Sequence, residues 1–264
     1  MTTISKVFKK GQKALIGYIT AGYPDIETTV KAALALAENG CDILELGIPF
    51  SDPMADGAMI QKASHTALRQ GVSPQVCLET AKAISELNSI PLIFMTYYNP
   101  VVHYGLEDFC HSCVHAGVSG LIVPDLPPEE GRPLEKITRQ NHLDLIYLLA
   151  PTSTGDRIKA VAAKSRGFIY MVSLTGVTGA RVTLSADLGG FIKRVRGQTN
   201  KPLCVGFGIS THEQATQAAE LADGVIIGSK LLQLIEADRS LGSLKKFTAD
   251  VRLALDSVKN TGGI

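Results

Sequence analysis

The feature that most constrains this chain is an alternation of short apolar, β-branched runs with longer stretches of helical periodicity. The runs fall at residues 14–20, 43–47, 91–96, 120–123, 143–149, 168–172, 202–206 and 224–227. Between and after them, residues 26–39, 75–87, 106–116, 133–140, 156–165, 188–196, 211–221 and 241–259 carry apolar side chains three and four positions apart. Val30, Ala33, Leu34 and Ala37 are one such series, which places a single face of a helix against a core. Gly40, Gly117 and Gly167 follow helical stretches and suit left-handed C-caps, while Ser210-Thr211-His212-Glu213 offers a capping-box start. Strands alternating with helices predict βαβ units and a parallel sheet. Eight units in 264 residues, undivided by any linker or shift of composition, predict an α/β fold made of one (β/α)8 TIM barrel domain spanning residues 1–264. A doubly wound open sheet is the alternative.

Charge and hydropathy narrow the partners. With 26 Lys and Arg against 25 Asp and Glu, the chain lacks the basic excess of a nucleic-acid binder. No apolar run reaches the roughly 18 residues of a membrane helix, and the first residues lack a signal-peptide pattern, so the expected compartment is the cytoplasm. Five scattered cysteines do not suggest a disulfide framework. Cys110-His111-Ser112-Cys113-Val114-His115 superficially resembles four zinc ligands. On a helix turning about 100° per residue, however, the histidines sit about 100° and 140° from Cys110 while Cys113 sits at about 300°, so no metal site is expected.

In a barrel, active-site groups belong at the C-terminal ends of strands and in the loops that follow. Glu45 interrupts the apolar run of Ile43, Leu44 and Leu46 and alternates in direction with both leucines. Both faces of a parallel barrel strand are covered, so the carboxyl is expected to be buried, with raised proton affinity suited to acid–base work. Asp56, beyond a loop stiffened by Pro49 and Pro53, can return over the mouth to oppose it. Two carboxyls in unlike environments can divide into acid and base. An ion-paired Glu45, and a turn-forming Asp56 before Gly57, remain the bland alternatives. Asp52 reads as a turn former, and His65, His103, His142 and His212 as surface or structural residues.

Glycine-rich segments follow three late strands: Gly176-Val177-Thr178-Gly179, Gly206-Phe207-Gly208 and Gly228-Ser229. Glycine admits close approach of backbone N–H groups to a phosphate, and a helix start adds a favourable dipole. Gly208 lacks a third glycine at the dinucleotide spacing, because Thr211 stands there. The composition of 176–179 also suits a closing lid. Tyr18, Met95, Tyr97, Ile122, Tyr170 and Phe207 fall near predicted strand ends and could line an apolar pocket beside the phosphate.

The run Glu45-Leu46-Gly47-Ile48-Pro49-Phe50-Ser51-Asp52-Pro53 with Ala55-Asp56-Gly57 closely resembles the tryptophan synthase alpha chain family. Pro124-Asp125-Leu126-Pro127 and the three glycine segments follow in the family's order. The resemblance implies a barrel that cleaves indole-3-glycerol phosphate to indole and glyceraldehyde 3-phosphate by a retro-aldol reaction. By motif it makes Glu45 the acid–base that serves indole C3 and the glyceryl hydroxyl, and Asp56 the group at the indole N–H. It assigns Gly179, Gly208, Gly228 and Ser229 to the phosphate, Thr178 to the lid, and Tyr170 and Phe207 to the flanks of the indole ring. It implies no cofactor in this chain, and a pyridoxal-phosphate beta chain as partner in an α2β2 assembly, with Asn99 and Pro127 facing it. Three departures stand out: Tyr18 where members often carry Phe, Leu174 where Arg is frequent, and a short segment before Ala14 that implies a truncated barrel plug. A phosphosugar isomerase, or a chain serving mainly to activate the beta chain, are the competing functions.

Overall fold

The computed structural model describes residues 3–8, 12–172, 186–206 and 208–258. In chain order its first half comprises α1 (Thr3–Val7), β1 (Ala14–Thr20), α2 (Ile26–Glu38), β2 (Ile43–Gly47), α3 (Ala58–Arg69), α4 (Pro74–Leu87), β3 (Leu92–Met95), α5 (Tyr98–Tyr104), α6 (Leu106–His115) and β4 (Val118–Ile122). There follow α7 (Arg132–Gln140), β5 (Asp144–Ile146), β6 (Leu148–Leu149), α8 (Gly155–Lys164), β7 (Ile169–Val172), α9 (Ala186–Arg196), β8 (Leu203–Gly206), α10 (His212–Leu221), β9 (Gly224–Ile227), α11 (Ser229–Ala237) and α12 (Gly242–Ser257).

Every strand pairing among them is parallel, and the first strand, β1, pairs with both β2 and the last strand, β9. The order runs β5-β4-β3-β2-β1-β9-β8-β7-β6, and its two ends are one strand interrupted at Tyr147. The ring is therefore an eight-unit barrel. Residues 143–149 were expected as one strand; the break arises because the Tyr147 N–H turns to Ser165 Oγ (3.1 Å) instead of a neighbouring strand. Helices α1, α3, α5 and α11 add to the one-helix-per-strand pattern, and the last three occupy the segments after β2, β3 and β9.

Helix starts follow local chemistry. Asp25, Ser73 and Thr154 accept backbone N–H bonds as N-caps of α2, α4 and α8. Thr211 caps α10 in a reciprocal box, with Gln214 rather than the expected Glu213 as the second partner.

Outward-facing strand residues such as Leu15, Leu44, Leu46 and Phe94 join the helices in one continuous core. Inside the barrel, Ile16, Ile43, Ile93, Ile122, Ile146 and Ile226 form a second, apolar layer with Phe168 and Cys204. Ile4 of α1 is fully buried in this layer, and Phe8 packs against Phe168 at 5.9 Å between ring centroids. The N-terminal segment plugs the barrel with the five helical residues of α1. The N-terminal end of the barrel is sealed, and polar inward positions are left to the other end.

Candidate active site

Glu45 lies in the middle of β2, paired in register with Tyr18 on β1 and Ile93 on β3. Two residues after Ile43, it points into the barrel one step above the isoleucine layer. The side chain is wholly buried, and neither carboxylate oxygen has a hydrogen-bond partner among the described residues. Burial first, and the negative charge of Asp56 second, push its proton affinity up to about 8. At neutral pH Glu45 is thus mainly a neutral acid. The ion-paired alternative finds no partner among the described residues.

Asp56 is carried by the loop after β2, and Tyr97, just beyond β3, holds that loop in three ways. Its oxygen accepts from the Ala55 N–H (2.9 Å), its O–H donates to Asp56 Oδ2 (3.2 Å), and its ring stacks on Phe50 at 5.0 Å. Burial pushes Asp56 up to about 6, and the Tyr97 hydrogen bond pulls the other way by favouring the ionised form. Asp56 is therefore mainly ionised at pH 7 beside a protonated Glu45. Sequence reasoning put Tyr97 in the apolar pocket; the structure commits its hydroxyl to the Asp56 loop. Asp52 is exposed and accepts from Ser51 Oγ (2.5 Å).

Other residues around Glu45 divide between floor and mouth. Ile122 is fully buried in the isoleucine layer, and Met95 packs partly buried against it. Tyr18 and Tyr170 are inward-facing neighbours of the carboxyls, each folded over a glycine of the next strand: a Cβ on Gly47 would collide with the Tyr18 hydroxyl, and one on Gly206 with that of Tyr170. Gly228 precedes α11 without a side-chain cap, and Ser229 opens that helix on an exposed position, so early backbone N–H groups there are available to an anion. Gly208 is exposed with φ of 74°. Gly179, Thr178, Leu174 and Phe207 lie outside the described residues.

The same end of the barrel presents Met54, 90% exposed, and Asn99, exposed near the start of α5. Half-buried Pro127 belongs to the loop after β4, where Asp125 Oδ1 accepts from the Tyr98 N–H (2.9 Å) and so links that loop to α5. In α6, Cys110 and Cys113 are buried while His111 and His115 are exposed, so the four side chains do not converge. Among the described residues no helix is long and apolar enough to cross a membrane.

Residues 4–259 match the tryptophan synthase alpha chain family. A tryptophan synthase alpha chain of Dehalococcoides mccartyi is 57% identical over 256 residues, covering 97% of this chain and all of the relative. One from Geotalea uraniireducens is 45% identical over 262 residues, covering 99% and 98%. The crystal structure of tryptophan synthase subunit alpha from Legionella pneumophila superimposes with a TM-score of 0.90 at 37% identity, covering 98% of this chain and all of the other. Fold, motif order and full-length similarity agree: this chain belongs to the tryptophan synthase alpha chain family, the lyase subunit of that enzyme.

Proposed function

We propose that Glu45 and Asp56 perform the retro-aldol cleavage of indole-3-glycerol phosphate in this chain. Protonated Glu45 delivers its proton to indole C3, and ionised Asp56 stabilises the N–H of the resulting indolenine-like cation. Glu45, now a carboxylate, accepts the proton of the glyceryl hydroxyl next to the ring. The bond between that carbon and C3 breaks, its electron pair returns to the ring, and indole and glyceraldehyde 3-phosphate leave with Glu45 protonated again. The observation that carries this reading is the pair of unlike carboxyls, raised to about 8 and about 6, at one end of a barrel.

The backbone at Gly208, Gly228 and Ser229 is the proposed phosphate cradle, together with Gly179, and Thr178 belongs to the lid. Tyr170 and Phe207 flank the indole, with Met95 and Ile122 beneath. An alpha chain implies a beta-chain partner. We place that partner, in an α2β2 assembly carrying the pyridoxal phosphate, on the end that exposes Met54 and Asn99 and contains Pro127. The working unit is one barrel domain in the cytoplasm, with no cofactor of its own.

Indole release from indole-3-glycerol phosphate, followed with the purified chain alone and then with its beta chain, tests the function. Cleavage in both arms, faster in the second, is expected. No cleavage in either arm refutes it, and cleavage of phosphosugars alone would make the chain an isomerase-type barrel.

A further inference from the structure

Tyr18 occupies a place that matters to the length of the proposed substrate. Its ring runs between two strands that flank β1. A Cβ added to Gly228 would lie 3.2 Å from Tyr18 Cδ1, so one edge of the ring abuts the residue just before α11. Its far end, the hydroxyl, fills the space where Gly47 has no side chain. Gly47 and Glu45 are two apart on β2 and share its inward face. The phenol therefore bridges the phosphate cradle and the position just above Glu45.

Between a phosphate held at Gly228 and Ser229 and a C–C bond broken beside Glu45, the substrate contains only its glyceryl chain and two hydroxyls. Among the described residues the Tyr18 hydroxyl has one hydrogen bond, to Thr20 Oγ1 at 3.2 Å. A phenol offers one donor and two acceptor positions, so this bond leaves capacity for a ligand. Thr20 is itself wholly buried, and as donor to Tyr18 it would free the phenolic proton. Burial first, and the negative charge of Asp56 after it, disfavour ionisation of Tyr18, which keeps it a neutral donor.

We infer that the Tyr18 hydroxyl is a specificity-determining group that hydrogen-bonds a glyceryl hydroxyl of the substrate, rather than a wall of the indole pocket. This rests on the phosphate and carboxyl assignments above. The glyceryl hydroxyl concerned is the one nearer the phosphate, which takes no part in the bond cleavage. A bond to it forms equally in the bound substrate and in the transition state, so its loss appears in KM and leaves kcat nearly unchanged.

The test compares Tyr18→Phe with the parent protein on two ligands: indole-3-glycerol phosphate as substrate, and indole-3-propanol phosphate, which lacks both glyceryl hydroxyls, as inhibitor. The expected result is a KM about 5- to 10-fold higher for the substrate, the size of one net hydrogen bond, with the inhibition constant of the deoxy compound unchanged. An unchanged KM overturns the inference, and so does equal weakening of both ligands, which would mark loss of packing alone. Glu45→Gln runs alongside. If the parent cleaves, Glu45→Gln does not, and Tyr18→Phe equals the parent, only the role of Tyr18 falls. If the parent itself releases no indole, the underlying function falls with it.

Discussion

The two ends of the barrel interior are built from the same strands and the same inward-facing alternation, yet they do opposite things. At the N-terminal end, Ile16, Ile43, Ile93 and Ile226 close on Ile4 of α1, with no polar group to satisfy among those side chains. One pleat higher, the corresponding positions hold Tyr18 and Glu45, and Gly47 follows. The lower layer gains stability from burying apolar surface. The upper layer gives some of it up, because it buries a carboxyl whose oxygens have no partner among the described residues. Structure and chemistry are thus segregated along each strand by a step of two residues.

The largest expected effect comes from removing that upper carboxyl. Glu45→Gln should lower the cleavage rate by about 10²- to 10⁴-fold, measured by single-turnover indole release. The same variant should be more stable than the parent at alkaline pH. Folded Glu45 keeps its proton up to about 8, whereas the unfolded chain releases it near the ordinary carboxylate value. Between those values the folded state holds more protons, so parental stability declines as pH rises through the window. Urea unfolding at pH 8 should show Glu45→Gln ahead by on the order of 2–4 kcal/mol. A core residue would show the reverse pattern.

The reverse pattern is expected at the sealed end. Ile4→Ala should cost about 2–3 kcal/mol in stability by cavity formation while leaving kcat near the parental value. A large loss of kcat in that variant would show that the two ends are not separable.

A smaller effect is expected within the upper end. Tyr97→Phe removes the acceptor for Ala55 N–H and the donor to Asp56. We expect a decrease in kcat/KM of about 3- to 10-fold, the scale of one or two net hydrogen bonds. Its pH profile is the diagnostic readout. The parent should rise through about 6 as Asp56 ionises and fall through about 8 as Glu45 does. Without the Tyr97 hydrogen bond Asp56 ionises less readily, so the rising limb should move to higher pH while the falling limb stays.

Most of this architecture is legible in the sequence because barrel geometry is periodic. The apolar runs locate the strands, and a single Glu inside one of them announces a buried carboxyl. What sequence misses is non-local or local in a different sense. The break at Tyr147 depends on Ser165 capturing its N–H from a later segment. The grip of Tyr97 on Asp56 joins residues from the ends of two different strands. Helices α3, α5 and α11 lie in stretches where one helix per strand had already satisfied the pattern. The Tyr18 contacts with Gly47 and Gly228 are visible only once three adjacent strands are assembled, since the signal is the absence of a side chain at two positions.

An inward position above an apolar layer holds a carboxyl that is still an acid at neutral pH, and this protonation can be measured directly. Infrared difference spectra of the parent minus Glu45→Gln, recorded as a function of pH with isotope-labelled glutamate, isolate the protonated carboxyl of residue 45. Its carbonyl band is expected to persist through pH 7 and to be lost with a midpoint near 8. A midpoint in the ordinary range near ~4.3 would contradict it, because Glu45 would then be ionised and unable to donate the proton that starts the reaction.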